Sequence, residues 1–363
     1  MPNTNGQVGT VNYAETHQKK ILEKFQSRSL VRANTCEDIK FTDGKTVVAY
    51  TPVYAPLQNY NMSAGLERYG SIYELGNTAQ EFTCTQDKTF RISIDKRNMI
   101  ESVGLDATAA THISGQQREV VTPAADRYAL GQYAKNAGQY LVADAFDSTN
   151  VIKTLGDMEA ILNDKLVPDG ERFLYVDSFT FNAIRLSSEW LASDELAKQG
   201  ITGKYNGGIF GFAVVKVPSS YLPKNCQALA TYKKSVIEPF RLESAIPHMN
   251  PPGLNGLLIE GRYLYDAFVL GAKADGVLAC LSSSSARQAD PTVSISSGSF
   301  TVSGVSDCAV YYTIDGADPR YDRNAKPYSA STAIPAGCTE IKVVAVPNAD
   351  GKYASNVVTK AVS

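Results

Sequence analysis

Patterns of apolar and polar residues divide the first 100 residues into a helix and a long extended segment. The apolar positions of residues 13–33 recur on one helical side: Ile21, Leu22, Phe25 and Leu30. The other side is basic and carries Lys19, Lys20, Lys24, Arg28 and Arg32. The pattern predicts an amphipathic helix. Its basic side is either a solvated face or a surface that contacts another chain or a nucleic acid.

Residues 45–94 indicate an excursion of extended chain. Residues 47–52 alternate as in a strand, and at the other end Phe90, Ile92 and Ile94 share one face. The stretch between them is broken by glycines and carries four tyrosines, namely Tyr54, Tyr60, Tyr69 and Tyr73. A structureless loop of this length is rare in a compact domain, and an isolated hairpin is marginal in water. We therefore predict a two-stranded arm that another chain stabilises.

Residues 122–147 have the clearest helical pattern in the chain. Thr122 can cap the helix, and Pro123 suits the first helical position, where its missing N–H has no cost. Apolar residues then recur at helical spacing, which predicts a helix about 37 Å long at 1.5 Å per residue. Gly131 and Gly138 lie seven residues apart and would let another backbone approach closely.

Helix and strand patterns alternate through residues 151–281. A helix from residue 151 is ended by Pro168-Asp169-Gly170, a buried strand covers 172–177, and a second helix follows with Asp177 or Ser178 as its cap. Extended segments complete the region, at residues 211–218, 226–235 and 261–280. This order predicts one compact domain of mixed α and β structure.

The composition changes after residue 281. Residues 282–290 are polar and indicate a linker. Residues 291–363 are rich in Val, Thr, Ser, Ile and Tyr, in short alternating runs separated by Gly, Pro and Asp. The pattern is typical of a small all-β sandwich of the immunoglobulin-like kind.

Charge and cysteine content narrow the class of protein. The 363 residues include 35 Lys and Arg against 37 Asp and Glu, a formal net charge of −2, which disfavours a general nucleic-acid binder but leaves room for a locally basic face. The sequence contains no long apolar run and no secretory pattern at its start, so we expect folding in a cytoplasm without a membrane span. Six cysteines are too few for a disulfide scaffold, although Cys308 and Cys338 could pair within the C-terminal region.

No group of residues predicts catalysis. The three histidines lie in separate segments, and neither a zinc-protease motif nor a nucleophile elbow occurs. The sequence GITGKY at residues 200–205 lacks the first glycine and the final hydroxyl residue of a phosphate-binding loop. Asp315, Asp318 and Asp322 fit an aspartate-supported turn better than a calcium loop. We expect no enzymatic activity, no cofactor and no metal site.

Several segments resemble a known family of proteins. Residues 201–223, ITGKYNGGIFGFAVVKVPSSYLP, are similar to an axial-domain segment of the major capsid proteins of tailed bacteriophages with the Hong Kong 97-like fold. The matching positions are Gly207, Gly208, Gly211, Phe212, Val214, Val217, Leu222 and Pro223. Residues 261–277, GRYLYDAFVLGAKADGV, resemble the strand that returns to that family's peripheral domain. In order, such matches cover residues 13–281.

The C-terminal region resembles a different group of proteins. Residues 309–322, AVYYTIDGADPRYD, and residues 340–355 are similar to a fibronectin-like or immunoglobulin-like module that follows some chitobiases and occurs in many Gram-positive surface proteins. In that group the aspartate-rich turn is structural. On a capsid protein the module implies an outward decoration, with adhesion to cell-surface glycans as a hypothesis.

The two resemblances together imply an α+β fold of seven parts. These are an N-terminal arm (1–40), an extended loop with flanking strands (41–95), a peripheral domain with a spine helix (96–150), an axial domain (151–250), a return to the peripheral domain (251–281), a linker (282–290) and the immunoglobulin-like domain (291–363).

The function that the resemblance implies is that of a major capsid protein. Its subunits would assemble without covalent crosslinks into the hexamers and pentamers of an icosahedral head, in the cytoplasm of a bacterial host. Partners would be further copies of the chain, portal and scaffold proteins, and double-stranded DNA held by nonspecific contact. The predicted subunit-interface residues are Tyr54, Tyr60, Tyr69, Tyr73, Phe25, Arg28, Gly207 and Gly208.

Two other functions stay open from the sequence. An encapsulin-like protein compartment would share the capsid fold. A hydrolase with a carbohydrate-binding module would explain residues 291–363 but would leave the first 281 residues without a catalytic group.

Overall fold

The computed structural model describes most of the chain as two compact units. The described residues are 28–36, 46–54, 57–63, 68–101, 109–188, 208–296, 298–322 and 324–362. The first unit draws on Met1–Ala33, Cys84–Ala129 and Glu238–Asp266, and the second on Asn34–Thr83, Leu130–Ile237 and Ala267–Ser363.

The helices and strands are numbered in chain order. The strands are β1 Thr46–Val53, β2 Gly76–Thr83, β3 Gln86–Asp95, β4 Gln139–Val142, β5 Arg172–Asp177, β6 Gly208–Ile209, β7 Phe212–Val217, β8 Cys226–Tyr232, β9 Val236–Ile237, β10 Phe240–Met249, β11 Gly256–Tyr265, β12 Phe268–Val269, β13 Val277–Leu281, β14 Thr292–Ser296, β15 Ser299–Ser303, β16 Cys308–Thr313, β17 Lys326–Pro327, β18 Thr332–Ala333, β19 Glu340–Pro347 and β20 Val358–Ala361. The helices are α1 Lys96–Glu101, α2 Ala109–Gln116, a π-helical turn Gln117–Val121, α3 Thr122–Lys135, α4 Val151–Asp164 and α5 Ser178–Leu186.

The first unit is built on an antiparallel sheet of three long strands. The order is β10-β11-β3, and β11 pairs with β3 over ten residues, from Gly256 opposite Asp95 to Tyr265 opposite Gln86. Aromatic rings cover one part of this sheet, with Phe240 and Phe90 both beside Tyr263. Gly261 is needed there, because a Cβ on it would lie 2.1 Å from the Phe90 ring.

The helix predicted at residues 122–147 is present as α3 from Thr122 to Lys135, but it ends earlier than predicted and continues a longer helical run. The helical run begins at Ala109 and ends at Lys135, and residues 139–142 form β4. Pro123 therefore lies inside the run, directly after the π-helical turn. A proline inside a helix lacks an N–H and crowds the carbonyl four residues earlier, and the wider turn accommodates both. Beyond the helix, β4 pairs in parallel with β13, which local helical propensity cannot reveal.

The two glycines of that predicted helix behave differently. Gly138 does allow a close backbone approach, because a Cβ on it would lie 2.2 Å from the carbonyl oxygen of Ala274. Gly131 has nothing within 4 Å of its Cβ position among the described residues, so no such approach occurs there within this part of the chain.

The second unit contains a six-stranded mixed sheet in the order β4-β13-β8-β5-β7-β6. The predicted alternation of helix and strand is confirmed here, including the Asp177 cap, whose carboxylate accepts a hydrogen bond from the Thr180 N–H at 2.7 Å. Buried residues of α4, α5 and the sheet form one core, among them Leu155, Met158, Leu162, Leu174, Ile184 and Phe212. Strands β4 and β13 of this sheet lie outside residues 151–250.

The predicted C-terminal all-β domain is present. One sheet has the order β14-β15-β18 and the other β17-β16-β19-β20. Val293, Phe300, Tyr312, Ile341 and Val343 form the core between them. All six cysteines are free thiols, so the possible pairing of Cys308 with Cys338 is not made.

The segment predicted as a polar linker is partly exposed, at Ser282, Ser284, Ser285, Ala289 and Asp290, and partly packed. Ala286 and Gln288 are buried, and the Gln288 N–H donates to the Tyr353 carbonyl at 2.9 Å.

The chain around residue 30 is not the end of a helix. Most of the helix predicted at residues 13–33 lies outside the described residues, but residues 28–31 are irregular and Arg32–Asn34 form a single 3-10 turn. The carboxylate of Asp126 explains the difference, because it accepts hydrogen bonds from the Ser29 hydroxyl at 2.7 Å and the Leu30 N–H at 2.8 Å. An α-helix would need that N–H for its own hydrogen bond.

Arg32 completes this attachment of the N-terminal segment. Its guanidinium lies 3.8 Å from the centre of the Phe240 ring and 3.2 Å from the Glu238 carboxylate. Burial raises the pKa of Glu238 to about 7, Arg32 opposes the rise, and Asp126 adds to it. Burial also raises the pKa of Asp126 above its ordinary value, against the hydrogen bonds from Leu30 and Ser29 and the charge of Arg32.

These raised pKa values predict how stability depends on pH. Because Glu238 is more easily protonated in the folded chain than in the unfolded one, its contribution is fully present below pH 4.5 and is lost as the pH rises through about 7. From pH 5 to pH 8, the free energy of unfolding measured with urea should therefore fall less for the Glu238→Gln variant than for the wild type. The difference between the two decreases should be about 1–3 kcal/mol. The exposed Asp157→Asn change is the control, and an equal pH dependence of wild type and Glu238→Gln would contradict the explanation.

Candidate assembly interface

Strands β1 and β2 form a hairpin, and we call it the arm, together with residues 54–75 between the strands. The two strands pair antiparallel over eight residues, from Thr46 opposite Thr83 to Val53 opposite Gly76. At 3.4 Å per residue the paired part is about 27 Å long. A two-stranded hairpin is present as predicted, but its return strand is β2, and its stabilisation by another chain stays a prediction. The segment with Phe90, Ile92 and Ile94 belongs instead to β3 in the first unit.

The base of the arm is anchored in the second unit. Phe82 is buried in a cluster with Cys36, Ile237 and Leu270, and its ring lies 5.0 Å from that of Phe268. The Gln80 side-chain amide donates to the Val269 carbonyl at 3.2 Å and accepts from the Gly271 N–H at 2.6 Å. This end of the hairpin is therefore held by both packing and hydrogen bonds.

The tip of the arm is organised by its own residues. The Gln58 side chain donates to the Ser71 carbonyl at 3.0 Å and accepts from the Ser71 N–H at 2.8 Å, which imitates a strand pair. The Tyr60 and Tyr69 rings meet edge to face at 5.2 Å. Gly70 has a φ of +79°, and a Cβ on it would lie 1.7 Å from the Gln58 side-chain oxygen. These contacts join the described residues before and after the turn of the arm.

The arm exposes an unusual amount of apolar side chain. Leu57 and Ile72 are fully exposed, at 102% and 100%. Among the residues of the arm whose side chains are described, the large exposed hydrophobic ones are Tyr50, Tyr54, Leu57, Tyr60, Met62, Tyr69, Ile72, Tyr73 and Leu75. Contiguous exposed apolar surface on a soluble protein marks an interaction site, because covering it is worth about 25 cal/mol per Å².

The backbone of the arm also has unsatisfied pairing capacity. Within the described residues the sheet consists of β1 and β2 alone, so each strand has one edge without a strand partner. Such edges are templates for pairing with another chain. Apolar side chains and open edges therefore occur on the same element.

The predicted interface residues fall into three groups. Tyr54, Tyr60, Tyr69 and Tyr73 all lie exposed on the arm. Arg28 is exposed in the N-terminal segment of the first unit, and Gly208 begins β6, where it pairs with Ala213 at an edge of the six-stranded sheet. Phe25 and Gly207 lie outside the described residues.

Between β1 and β2, four exposed apolar residues were missed, namely Leu57, Met62, Ile72 and Leu75. Their signal was present in the sequence: they are large apolar residues in a segment whose spacing fits neither a strand nor a helix.

A second feature was also missed, a junction that fixes the C-terminal domain to the rest of the second unit. The Arg320 guanidinium donates to the Ala137 carbonyl at 3.1 Å and the Gly138 carbonyl at 3.3 Å, and the Tyr321 hydroxyl donates to the Asn136 carbonyl at 2.7 Å. These three carbonyls directly follow α3. The last carbonyls of a helix lack partners within it, and a cation there also suits the helix dipole.

Asp318 and Gly271 complete this side of the junction. The Asp318 carboxylate holds the Arg320 guanidinium through Nη2 at 2.7 Å and through Nε at 3.1 Å, and Arg320 is only 14% exposed. Burial raises the pKa of Tyr321, so its hydroxyl stays protonated as a donor. Gly271 gives the Tyr321 side chain room, because a Cβ on it would lie 2.4 Å from that of Tyr321.

Tyr353 forms the other side of the junction. Its hydroxyl donates to the Lys224 carbonyl at 2.7 Å, and its ring lies 5.8 Å from that of Tyr140. Nearby, the Asn225 side-chain amide donates to the Gly351 carbonyl at 2.8 Å. The C-terminal domain is therefore bound through two separate loops.

Two further properties complete the description of the surfaces. Across the part of the chain that the structure describes, no group of three or more His, Cys, Asp and Glu could hold a metal ion. None of the described helices is long and apolar enough to cross a membrane.

Comparison with known proteins agrees with this architecture. The family model described as "Fn3 associated" matches residues 301–362, which is compatible with the immunoglobulin-like domain. No curated protein matches the sequence. The family model matches only the C-terminal domain. For the residues before it, the comparison depends on similarity to solved structures.

Solved structures supply that similarity. A chain of Mycobacterium phage Che8 has a TM-score of 0.61 at 16% identity, covering 74% of this chain and 96% of its own. The capsid of cyanophage P-SCSP1u gives 0.60 at 10% identity, and the mature capsid of bacteriophage PhiM1 gives 0.58 at 12% identity. Both cover 74% of this chain and 92% of their own. The chain thus has the mixed α+β fold of phage capsid proteins, followed by an all-β domain.

The junction predicts a stability effect at one residue. Replacing Arg320 by alanine would leave the carbonyls of Ala137 and Gly138 and the carboxylate of Asp318 without their shared partner. Hydrogen bonds to charged groups are worth about 1.5–3 kcal/mol each, so we expect a loss of about 2–4 kcal/mol in urea unfolding. The exposed Lys360→Ala change in the same domain is the control. Equal midpoints for both variants would show that the junction contributes nothing.

Proposed function

We propose that this chain is the subunit of a phage capsid and assembles with further copies of itself into a closed shell. Its role is structural rather than enzymatic. The observation that carries the proposal is a capsid-type fold bearing an arm whose apolar side chains are exposed in the single chain. The fold supports a capsid subunit, and the arm supplies a surface that a neighbouring subunit would cover.

The arm suggests how one subunit holds the next. Its tip would lie on the adjacent copy, where apolar side chains such as Leu57 and Ile72 leave water. The free strand edges would accept backbone hydrogen bonds from that neighbour, as in strand addition. Because the arm and the surface that it covers differ, the contact is heterologous, and repetition around a rotation axis closes it into rings. Hexamers and pentamers would form in this way.

The finer assignments follow the Hong Kong 97-like pattern and belong to the same proposal. The arm takes the place of the extended loop, the helical run Ala109–Lys135 that of the spine helix, and the six-stranded sheet that of the axial-domain core. The predicted domain boundaries and the interface roles of Phe25, Arg28, Gly207 and Gly208 stay predictions. So do contacts with portal and scaffold proteins and with double-stranded DNA in a virion assembled in the host cytoplasm.

The C-terminal domain would be an outward and fixed part of the shell. The junction through Arg320 and Tyr353 supports a fixed orientation, because each side makes specific hydrogen bonds to the preceding domain. Adhesion to cell-surface glycans is the proposed use of this domain. Assembled particles that bind no glycan on an array would count against adhesion without affecting the shell proposal.

Electron microscopy of the purified protein tests the proposal. Closed shells, or rings of six and five subunits, are the expected result. Double-stranded DNA inside particles from infected cells would indicate a virus, whereas a native protein cargo would indicate an encapsulin-like compartment. A discrete monomer with hydrolase activity would overturn the capsid assignment.

The apolar side chains of the arm give a sharper prediction. The triple variant Leu57→Ser, Ile72→Ser and Leu75→Ser should unfold at the same urea concentration as the wild type, because these side chains are exposed. Each of the three substitutions would remove about 1.5–3 kcal/mol of burial free energy from the contact between subunits. The shell yield should therefore fall by far more than tenfold. Size-exclusion chromatography with electron microscopy measures that yield.

The matched control replaces two exposed polar residues of the same arm, in the variant Asn59→Ser and Glu74→Ser. It should assemble normally. Normal shells from the apolar triple variant would exclude the arm as the main contact between subunits.

A further inference from the structure

A small pocket lies on the second unit, beside the turn that ends α4. Its volume is about 260 Å³, whereas the ligand pockets of proteins usually measure about 300–1,000 Å³. Its walls come from the turn at residues 165–168, from Tyr232 and Ser235, and from residues between Ala272 and Gly276. A pocket of this size fits a single side chain better than a whole small molecule.

The turn presents an apolar residue in a strained conformation. Leu166 has a φ of +56° and is 89% exposed. This left-handed conformation at the end of a helix favours glycine, because a side chain crowds the backbone there. A leucine that costs backbone strain and packs against little of its own chain suits contact with another molecule.

The buried Arg172 fixes the turn in this conformation. Its guanidinium donates to the Val167 carbonyl, and to the Pro168 carbonyl at 3.0 Å. Arg172 is 1% exposed, so these hydrogen bonds are shielded from water. The rim of the pocket is therefore preformed in the free chain, which lowers the entropy cost of binding.

The lining combines apolar walls with a hydroxyl group that lacks a partner. Val167, Pro168 and Ala272 contribute to the walls. Ser235 is fully buried, and among the described residues its Oγ has no hydrogen-bond partner. A buried polar group without a partner costs free energy. A tyrosine side chain matches both features, because it is apolar over its ring and polar at its tip.

Among the described residues, three that line the pocket are charged. Lys165 and Lys273 are exposed, so a carboxylate that comes close can pair with either of them. The Asp275 carboxylate accepts a hydrogen bond from the Gln139 side-chain amide at 2.5 Å. The lysines thus favour an occupant that carries an acidic residue next to the side chain that enters the pocket.

The arm carries such a pair of residues. Tyr73 is 55% exposed and directly precedes Glu74, which is also exposed. The tyrosines Tyr60 and Tyr69 contact each other instead. None of the described residues of the arm lines the pocket in its own chain. An arm that fills the pocket therefore comes from a second copy.

We propose that the pocket beside Leu166 receives Tyr73 from the arm of a second copy of this chain. The inference rests on the proposed function and names the surface that the arm contacts. Leu166 would pack against the tyrosine ring, and Ser235 would form a hydrogen bond with its hydroxyl group. Microscopy tests shell formation and the variants test this contact, so the two proposals can fail separately.

The first test uses the variant Leu166→Gly of the full-length chain, with assembly measured by sedimentation over a range of protein concentrations. Glycine relieves the backbone strain, so the free chain should unfold at the same urea concentration as the wild type or at a higher one. Loss of the leucine contact should raise the protein concentration needed for assembly by about tenfold or more.

The matched control for this variant is Glu171→Gly. Glu171 also has a positive φ, of +53°, and it is exposed outside the pocket lining. Its replacement should leave assembly unchanged. Normal assembly of Leu166→Gly would overturn the proposal.

A second test combines Tyr73→Phe with Ser235→Ala. Each change removes one partner of the proposed hydrogen bond and should raise the concentration needed for assembly by about two- to tenfold. The double variant should need no more protein than the single variants, because the bond is already absent in each of them. Effects that multiply would overturn the pairing of Tyr73 with this pocket. Urea unfolding identifies any variant that fails to fold, and Leu166→Gly then carries the test.

Crosslinking identifies the occupant of the pocket. Chains with Glu74→Cys are mixed with chains that carry Lys165→Cys or Lys273→Cys and are assembled under mild oxidation. A disulfide-linked pair with at least one lysine variant, absent when each variant is assembled alone, supports the proposal. Closed shells without this crosslink would overturn it and leave the shell proposal intact. A chain that forms neither shells nor crosslinked pairs at any concentration would overturn both.

Discussion

A two-stranded hairpin cannot bury its own side chains, and this constraint governs the rest of the molecule. It lacks a second layer, so apolar residues between β1 and β2 remain in water unless another surface covers them. The arm concentrates such residues at its far end, while its base is anchored through Phe82 and Gln80. The contrast between the packed base and the exposed far end of the arm is the observation on which the proposed assembly rests.

The remaining contacts hold the arm and its neighbours in fixed positions. Gln80 contacts the segment that contains Gly271, and Gly271 gives Tyr321 of the C-terminal domain its space. The base of the arm, the end of α3 and the C-terminal domain therefore share one set of contacts within the second unit. In the first unit, Asp126 and Glu238 hold the N-terminal segment in a comparable way. Within each unit, these contacts fix segments that are distant in the sequence.

Local signals in the sequence predicted much of the fold. Asp177 caps its helix, the Pro168-Asp169-Gly170 turn ends the helix before it, and the alternating runs after residue 291 form the sandwich. These features depend on a few adjacent residues and on side-chain periodicity, both of which a sequence displays directly.

Features that depend on distant partners were not predictable in the same way. The Leu30 N–H binds Asp126, 96 residues away, which replaces the expected helix end. Strand β4 forms because β13 pairs with it, and Arg320 reaches a carbonyl 183 residues away. The exposed tyrosines of the arm were predicted from their context, yet Leu57 and Ile72 were missed because exposure of an apolar residue contradicts its usual preference.

Hydrogen–deuterium exchange of the arm tests the central claim most directly. Amide exchange in residues 54–75 would be compared between free subunits and assembled particles, with α4 as an internal reference buried in both. If a neighbouring subunit covers the arm, amide exchange in the arm should slow by about tenfold or more on assembly, while the exchange rate of α4 stays the same. Equal exchange of the arm in both states would contradict its role as the contact that joins one subunit to the next.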